Sequence, residues 1–497
     1  MKEIKKWATA MIVLSLLFSV SSFKVSAATR YVATTGTDSG DCTSSPCRTI
    51  TYAVSVASGG DTISVAVGIY DRAGGEIFPI SIDGMSLTLV GAGAATTIID
   101  GWKPGTPRDA VRVGFSGTAT LNISGFTIRN AKLVGLRYLN GSSGSVTLNT
   151  ITGNSKEGIR NESSSPTISS NTITANTLDG IHNLNSSNPI ISNNTITGNY
   201  RYGIYNEYSD PTITGNNITG NYDHGINNYD SDPPIINNTI TGNSRSGIYN
   251  TYSNPTITNN IITGNSRDGI NNGKSDPTIT NNTLTGNSFN GIYNYSSSPT
   301  ITNNIITSNG YYGIDATGGI SPTNTYNDVW NNSWGDYGGT ASAGVGSISK
   351  DPLFVSPADY HLQCHSPAVN TGDNSAPAIP STDKDGNPRI IGGVVDMGAY
   401  EANCERYRNI PSIRPLAVNR ISETKNLFEK AQFTCDELKD KEDPKFDECC
   451  SEDKLNEVIE LLKTAEKLFA SGNYIAASNY ALKAIEILEE ILECCEG

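Results

Sequence analysis

Short apolar runs recur about every 22 residues between residues 130 and 320, and each run is bounded by Gly, Asn, Ser or Pro. One repeat places isolated apolar points at Ile204, Ile213 and Ile218, inside runs rich in Thr and Ile. The repeats lack the i, i+3, i+4, i+7 spacing of an amphipathic helix. The pattern therefore predicts an all-β array in which each coil of three short strands stacks on the next coil.

A Gly-Ile pair marks the same point in each repeat and sets the expected register. Its glycines are Gly158, Gly180, Gly203, Gly225, Gly247, Gly269, Gly291 and Gly313. Neighbouring coils should pair as parallel strands about 4.8 Å apart, with each Ile packed on the Ile of the next coil. We therefore expect one inward column of isoleucines, formed by Ile204, Ile226, Ile248, Ile270 and Ile292.

Asparagine recurs at the same step, which indicates ladders at the corners of the coils. Two columns begin at Asn171 and Asn176 and continue at intervals of 22 or 23 residues. Asn tolerates the left-handed backbone conformation of tight corners, and stacked amides can hydrogen-bond along the axis. We interpret both columns as structural.

Stretches on both sides of the repeats resemble those of a known group of proteins. They are residues 31–42, 46–54, 60–70, 87–93 and 98–101 before the repeats, and residues 351–401 after them. The first set resembles exported right-handed parallel β-helix repeat proteins of the pectin-lyase-like class. The second resembles the choice-of-anchor-type terminal module of the same group.

This resemblance implies a right-handed parallel β-helix with three-strand coils of about 22 residues. It also implies a short helix near residues 47–57 that plugs the open end of the core, and Ile50, Ala53, Val54 and Ala57 would share its apolar face. The fold hosts lyases, hydrolases, esterases, epimerases, adhesins and inert spacers. The resemblance therefore implies no single chemistry.

Changes in composition divide the chain into regions with different expected structures. These are a signal peptide (1–27), the N-terminal cap and first coils (28–130), the regular repeats (131–330), the choice-of-anchor-like end of the β-helix (331–404) and a cysteine-containing helical domain (405–497). In the last region, helices are predicted over residues 416–438, 454–470 and 474–492. This small α-helical C-terminal domain has either a retention or assembly role or no specific role.

The first residues have the features of a secretory signal peptide. Lys2, Lys5 and Lys6 precede an apolar run over residues 8–20, and small residues lie at 25–27. The run is short for a membrane span, and no second candidate follows. We expect a chain that is secreted, periplasmic or on the cell surface, without a transmembrane span after signal cleavage. The formal net charge of −14 argues against a nucleic acid partner.

Export would allow the nine cysteines to oxidise. Cys42 and Cys47 are close enough to pair locally, whereas Cys364 and Cys404 flank the end of the β region. The tail holds Cys435, Cys449, Cys450, Cys494 and Cys495. The odd count leaves one thiol that is either free or part of an intermolecular disulfide through the tail. The four His lie outside the tail, so neither a metal nor a cofactor is expected.

Candidate binding residues are those that vary while the ladders stay fixed. We use the name Gly-Ile face for three residues of each coil: the residue after the Gly-Ile pair and the two residues before the pair. The predicted substrate-binding residues on this face are Arg160, His182, Tyr205, Tyr249 and Tyr293. Tyr rings can stack on the CH groups of a sugar while nearby amides bond its hydroxyls. The predicted partner is thus a polysaccharide or a cell-surface glycan.

Catalytic candidates lie in the corner just before Gly-Ile. Asp179, Asp223 and the adjacent His224 resemble, loosely, the carboxylate motifs of pectinolytic glycosidases of this fold. Asp179 and Asp223 are two coils apart, about 9–10 Å along the axis, which is near the separation of an inverting pair of carboxylates. The adjacent-Asp pair and the downstream Arg-x-Lys of those enzymes are absent.

Two functions therefore stand side by side. The first is a secreted or cell-surface β-helix scaffold that interacts with carbohydrate and has no clear catalytic motif. The alternative is a polysaccharide lyase or glycoside hydrolase that acts on an extended glycan along the Gly-Ile face. An enzyme needs a walled groove, whereas the repeats have uniform short turns. That uniformity favours the scaffold.

Overall fold

The computed structural model describes residues 27–101, 107–404, 413–441, 446, 449–470 and 474–496. The chain divides into two compact units, Met1–Thr167 and Ile168–Gly497. Both contain the predicted three-strand coil, so we name the sheets A, B and C after the first, second and third strand of a coil. The predicted signal peptide lies, apart from Ala27, outside the described residues.

The first unit contains a parallel β-solenoid. Sheet A comprises β1 (Thr29–Val32), β2 (Thr62–Val65), β5 (Ser86–Gly91), β8 (Thr120–Ser124) and β11 (Ser145–Thr147). Sheet B comprises β3 (Gly68–Asp71), β6 (Thr97–Asp100), β9 (Thr127–Arg129) and β12 (Thr150–Thr152). Sheet C comprises β4 (Ile80–Ile82), β7 (Val111–Val113), β10 (Leu136–Leu139) and β13 (Ile159–Glu162).

The predicted plug helix is confirmed as α1 (Ile50–Ser55), which packs against β1, β2 and β4. Its buried side chains are Ile50, Ala53 and Val54. Thr49 caps the helix by accepting a hydrogen bond from the backbone N–H of Tyr52. The apolar stripe seen in the sequence is therefore the surface that covers the core.

The second unit continues with coils of the same kind, and β14 (Thr167–Ser169) begins at the unit boundary. Sheet A comprises β17 (Ile190–Ser192), β20 (Thr212–Thr214), β23 (Pro234–Ile236), β26 (Thr256–Thr258), β29 (Thr278–Thr280), β32 (Thr300–Thr302) and β35 (Thr323–Thr325). Sheet B comprises β15 (Thr172–Thr174), β18 (Thr195–Thr197), β21 (Asn217–Thr219), β24 (Thr239–Thr241), β27 (Ile261–Thr263), β30 (Thr283–Thr285), β33 (Ile305–Thr307) and β36 (Asp328–Trp330). Sheet C comprises β16 (Ile181–Leu184), β19 (Ile204–Glu207), β22 (Ile226–Tyr229), β25 (Ile248–Thr251), β28 (Ile270–Gly273), β31 (Ile292–Tyr295), β34 (Tyr312–Thr317) and β37 (Gly335–Gly339).

The predicted isoleucine column is confirmed. Parallel pairing places Ile204 opposite Ile226, Ile226 opposite Ile248, and so on through Ile270 and Ile292. All five side chains are fully buried. The repeat period in the sequence is therefore the period of the solenoid core.

The asparagine ladders are also confirmed, with a correction to their geometry. Asn194 Nδ2 donates to Asn216 Oδ1 at 3.0 Å, and Asn216 repeats this contact with Asn238. The left-handed conformation belongs to the residue before each ladder position, as at Asn193 (φ 55°) and Asn237 (φ 60°). The ladder amides thus supply hydrogen bonds between coils, and their neighbours supply the turn.

A C-terminal module folds back on later coils of the second unit. It contains the antiparallel strands β38 (Phe354–Ser356) and β39 (Asp359–Leu362) and the disulfide between Cys364 and Cys404. The corner side chains of Asn259, Asn281 and Asn303 donate to its backbone carbonyls at 2.7–3.0 Å. The outer threonines of these coils, such as Thr280 and Thr283, are consequently buried.

The predicted helical tail is confirmed as α2 (Ile413–Asp440), α3 (Glu452–Ala470) and α4 (Tyr474–Glu496). Val458 and Leu461 of α3 share a core with Leu488 and Ile491 of α4. Among the residues described above, no helix has both the length and the apolar character that a membrane crossing requires.

Disulfides lie near the first strand of the solenoid and in the helical tail. Cys42 pairs with Cys47, as predicted. The prediction of an intermolecular disulfide is wrong for the tail cysteines that bond within the chain: Cys435 with Cys450, and Cys449 with Cys494. These bonds join α2 and the end of α4 to the segment before α3, which a small helical core needs for stability. The Sγ of Cys495 lies 3.6 Å from that of Cys450.

Candidate functional site

The Gly-Ile face of the second unit lies on the outer side of sheet C. Strand pairing puts Tyr205, Asn227, Tyr249, Asn271 and Tyr293 in one column, so tyrosines occupy alternate coils as predicted. Their side chains are partly exposed, except for Asn227, which is buried. The column is therefore accessible but tightly packed.

Ring stacking joins members of this column to the preceding corner. The ring of Tyr205 lies 4.6 Å from that of His182 and 5.3 Å from that of Tyr202. Tyr202 lies 5.9 Å from His224, which in turn stacks on Tyr249 at 4.6 Å. We call these five residues the aromatic row. Offset stacks of this kind stabilise one another by about 0.5–1.5 kcal/mol per pair.

The row is flanked by further aromatic and charged groups. Tyr200 and Tyr222 stack at 4.8 Å with nearly parallel planes, and both are exposed. The guanidinium of Arg201 lies 4.4 Å above the ring of Tyr202 and 5.3 Å from that of Tyr205. This cation–π contact holds a positive charge at the edge of the row.

Tyr249 has both an aromatic and a polar neighbour. The ring of His224 stacks on Tyr249 with an interplanar angle of 14°. Strand pairing places Asn271 of the next coil beside Tyr249, and the amide of Asn271 donates to Asp268 Oδ2 at 2.8 Å. A partly exposed tyrosine ring thus lies beside an amide and a carboxylate.

The catalytic candidate Asp179 is fully buried. Its Oδ1 accepts a hydrogen bond from the backbone N–H of Tyr202 at 3.2 Å. Its Oδ2 lies 3.7 Å from the guanidinium of Arg201 and 3.9 Å from Nδ1 of His182. These contacts tie the corner to the next coil, and no face of the carboxylate is open to a substrate.

Asp223 and His224 form a separate corner. Burial lowers the pKa of His224 to about 3, so its imidazole is neutral at ordinary pH. Its Nδ1 accepts the backbone N–H of Ser246 at 3.1 Å. Burial also raises the pKa of Asp223, against the opposing charge of Arg245 at 3.3 Å. Both side chains are thus engaged by the next coil.

The candidate Arg160 belongs to the first unit. Its guanidinium is bound to Glu157 at 3.0 Å and to Glu162 at 2.5 Å. Glu162 also pairs with Arg137 of the preceding coil at 2.6 Å. Arg160 is therefore part of an ion-pair network on the outer side of sheet C.

A second aromatic stack, which was not predicted from the sequence, lies near the end of the solenoid. Tyr311 lies 4.7 Å from Phe289 and 4.2 Å from Trp334, which is 62% exposed. Trp334 follows the last Gly-Ile pair, where the spacing changes from 22 to 23 residues. The signal for this stack in the sequence was the position of Trp334 relative to Asn332, which is the last residue of a corner ladder.

One group of side chains has the proximity that metal binding needs and lies within a single unit. The thiols of Cys435, Cys450 and Cys495 are buried and lie within 4.8 Å of one another. Two of the three are joined in a disulfide. In the oxidised protein the group is therefore a cross-link and not a ligand set.

A family model and the solved structure of XylC agree on the fold. The family model described as a right-handed β-helix region matches residues 111–255 and 207–349. XylC, solved in complex with xylose, superposes with a TM-score of 0.57 at 12% identity, over 75% of this chain and 99% of its own. The pectate lyase Pel9A gives a TM-score of 0.46 at 16% identity, over 76% of this chain and 96% of its own.

The A-module of the mannuronan C-5 epimerase AlgE4 from Azotobacter vinelandii gives a TM-score of 0.44 at 17% identity, over 61% of this chain and 91% of its own. No curated protein matches the sequence significantly. At 12% identity the superposition on XylC describes the fold alone. The repeats are those of a right-handed parallel β-helix, as the matching family model describes.

Proposed function

We propose that this protein is a secreted or cell-surface scaffold that binds an extended carbohydrate along the Gly-Ile face without transforming it. The observation that carries the proposal is the partly exposed ring of Tyr249, which strand pairing places beside Asn271, itself hydrogen-bonded to Asp268. Sugar sites combine an apolar ring with a few fixed polar groups in this way. XylC, which has the same fold, holds xylose.

The surroundings of the carboxylates support binding over catalysis. Asp179 is buried and occupied by Tyr202 and Arg201. A general base must reach the proton that it abstracts, directly or through one water. Asp223 is more accessible, so the enzymatic alternative, a polysaccharide lyase or glycoside hydrolase, rests on that residue and His224.

The location proposed for the protein agrees with its cross-links. Disulfides persist in oxidising compartments, and the cysteine pairs of both units are bonded. We further propose that residues 351–404 are a choice-of-anchor-type module and that the helical tail is a retention or assembly element. Both would then serve to place the Gly-Ile face at a surface.

A glycan array with the full chain, followed by product analysis of every hit, tests this function. A variant that combines Tyr205→Ala, Tyr249→Ala and Tyr293→Ala should bind about two orders of magnitude more weakly, since each ring contributes on the order of 1 kcal/mol. Tyr252→Ala, on an exposed corner after sheet C, is the matched control and should bind normally. Unchanged affinity of the triple variant would exclude this face. Products that disappear in Asp223→Asn would establish the enzymatic alternative.

A further inference from the structure

The outer side of sheet B carries a regular array of threonines in the earlier coils of the second unit. Each strand presents two outward residues, at its first and third positions. Over β15, β18, β21 and β24 these residues are Thr172, Thr174, Thr195, Thr197, Asn217, Thr219, Thr239 and Thr241. We call this set the threonine array. It holds no charged or aromatic side chain.

Strand pairing makes the array two-dimensional. Thr174 pairs with Thr197, Thr197 with Thr219, and Thr219 with Thr241, so the third positions form an unbroken file. Parallel strands repeat at about 4.8 Å, and alternate residues of a strand are about 6.6–6.8 Å apart. The hydroxyl and methyl groups therefore repeat at fixed intervals in two directions.

The side chains of this file share one orientation. Their Oγ1 atoms lie 3.7–3.9 Å from the place that a Cβ would occupy on a corner glycine of the next coil, at Gly198, Gly220, Gly242 and Gly264. These glycines have φ values of 61–63°, which only Gly adopts at little cost. These four corner positions therefore carry no side chain beside the hydroxyls.

The array is also open. Its outward side chains are exposed or partly exposed on all four strands, so solvent reaches the threonine hydroxyls. The C-terminal module covers the same sheet in later coils, where Thr283 Oγ1 accepts the N–H of Ala399. Lys384 of the module donates to the carbonyl of Asn237 at 2.7 Å, at the corner just before β24, so the module reaches the last strand of the array. The outward residues of β15, β18 and β21 are exposed or partly exposed.

We propose that the threonine array binds ice. A lattice of identical groups with small repeats in two directions matches a partner that is itself a lattice of small units. The hydroxyls would anchor a layer of ordered water, and the threonine methyls between them would exclude competing arrangements. A soluble glycan would need the rings and fixed polar groups that this surface lacks.

Ice-growth measurements on the full chain test the proposal. We expect thermal hysteresis and inhibition of ice recrystallisation at micromolar protein, and enrichment of the protein in a slowly grown ice phase. The protein is produced in a host without N-glycosylation, because Asn217-Ile218-Thr219 is an acceptor sequence within the array.

A pair of variants separates the array from the rest of the molecule. Thr197→Tyr combined with Thr219→Tyr should abolish the ice activity, since each ring breaks the flat surface. Tyr252→Thr, on another corner, should retain it in full. Unfolding midpoints measured by circular dichroism show whether both variants fold. A second variant, Thr197→Val combined with Thr219→Val, keeps the shape of the side chains and should lose most of the ice activity.

Each outcome is decisive. No ice activity in the parent chain, or equal activity in the tyrosine variant, overturns the proposal. Adsorption to microcrystalline cellulose without any effect on ice assigns the array to a crystalline polysaccharide instead and also overturns it. Glycan-array binding by the Gly-Ile face is unaffected by the threonine substitutions, so the two proposals fail independently.

Discussion

Replacing Asn238 with Ala tests whether the asparagine ladder holds the coils together. Asn238 is fully buried, and its Nδ2 donates to Asn260 Oδ1 at 3.1 Å and to the carbonyls of Ile213 and Ile236 at 3.0 Å. Its Oδ1 accepts from the backbone N–H and the Nδ2 of Asn216, at 2.9 and 3.0 Å. All but the bond to Ile236 connect neighbouring coils.

The cost follows from the groups that lose their partner. The buried backbone N–H of Asn216 loses its acceptor, and a buried polar group left unsatisfied costs about 1–3 kcal/mol. The side-chain amide of Asn216 still donates to Ile191 and Thr214, and Asn260 Oδ1 still accepts the backbone N–H of residue 238. These groups keep other hydrogen bonds, so their lost contacts cost less free energy than that of the Asn216 N–H. We expect the free energy of unfolding to fall by about 2–4 kcal/mol.

Urea denaturation followed by circular dichroism measures this loss. Asn254→Ala is the matched control, because Asn254 accepts the N–H of Asp276 in an exposed corner ladder. A surface substitution of this kind should change stability by about 0.5 kcal/mol or less. Since each coil contacts only its neighbours, the Asn238 variant should also show a broader or divided transition. Equal losses in the two variants would refute a stabilising role for the buried ladder.

Three further predictions concern the core, the disulfides and pH. Ile248→Asp should unfold its coils at ordinary temperature because it buries an unpaired charge, whereas Tyr249→Ala should lower the free energy of unfolding by about 1 kcal/mol, the value of its stack on His224. Similar unfolding midpoints of the two variants would contradict the assignment of Ile248 as inward and Tyr249 as outward. Cys364→Ser combined with Cys404→Ser should destabilise the C-terminal module by about 2–4 kcal/mol, and limited proteolysis within residues 351–404 should then precede cleavage of the coils. Burial raises the pKa of Asp328 from 3.8 to about 7, so its contribution to stability is complete below pH 4 and is lost as the pH rises through 7; Asp328→Asn should flatten the thermal stability between pH 5 and 8, and an unchanged slope would count against it.

The sequence predicted the parts of the fold that depend on repetition. Ile204 and its equivalents recur at one offset, so a single assignment of inward and outward positions holds for every coil. The plug helix and the tail helices were predictable for a related reason. Their apolar residues follow the helical period, and Thr49 is a local cap signal.

The fold-back of the C-terminal module could not be predicted in this way. Asn259 reaches the carbonyl of Thr382 across 123 residues, and Asn281 reaches Asp396 across 115. No local pattern marks such contacts. Asn193 and Asn237 occupy the same position of the repeat as Asn259 and Asn281, so the sequence does not distinguish the asparagines whose side chains reach the module. Tertiary packing alone decides which corners are covered.

Side-chain direction at the corners was the other obstacle. Within a strand the alternation of residues fixes which side chains face the core. Asp179 precedes the strand, where this rule does not apply, and its carboxylate turns inward to the N–H of Tyr202. The candidate pair was therefore placed correctly along the axis, two coils apart, while the burial of one member was not visible in the sequence.

The division between inward and outward positions explains why likeness to known proteins carries so little about function here. The inward isoleucines, the corner glycines and the asparagine ladders determine that coils form and stack. Such positions touch only the protein itself. The groups that we propose to meet a partner, Tyr249 and the threonine array, occupy outward positions that the fold leaves free to vary. Two chains can therefore share the whole solenoid and differ in every contact they make, so function must be tested on each outward face separately.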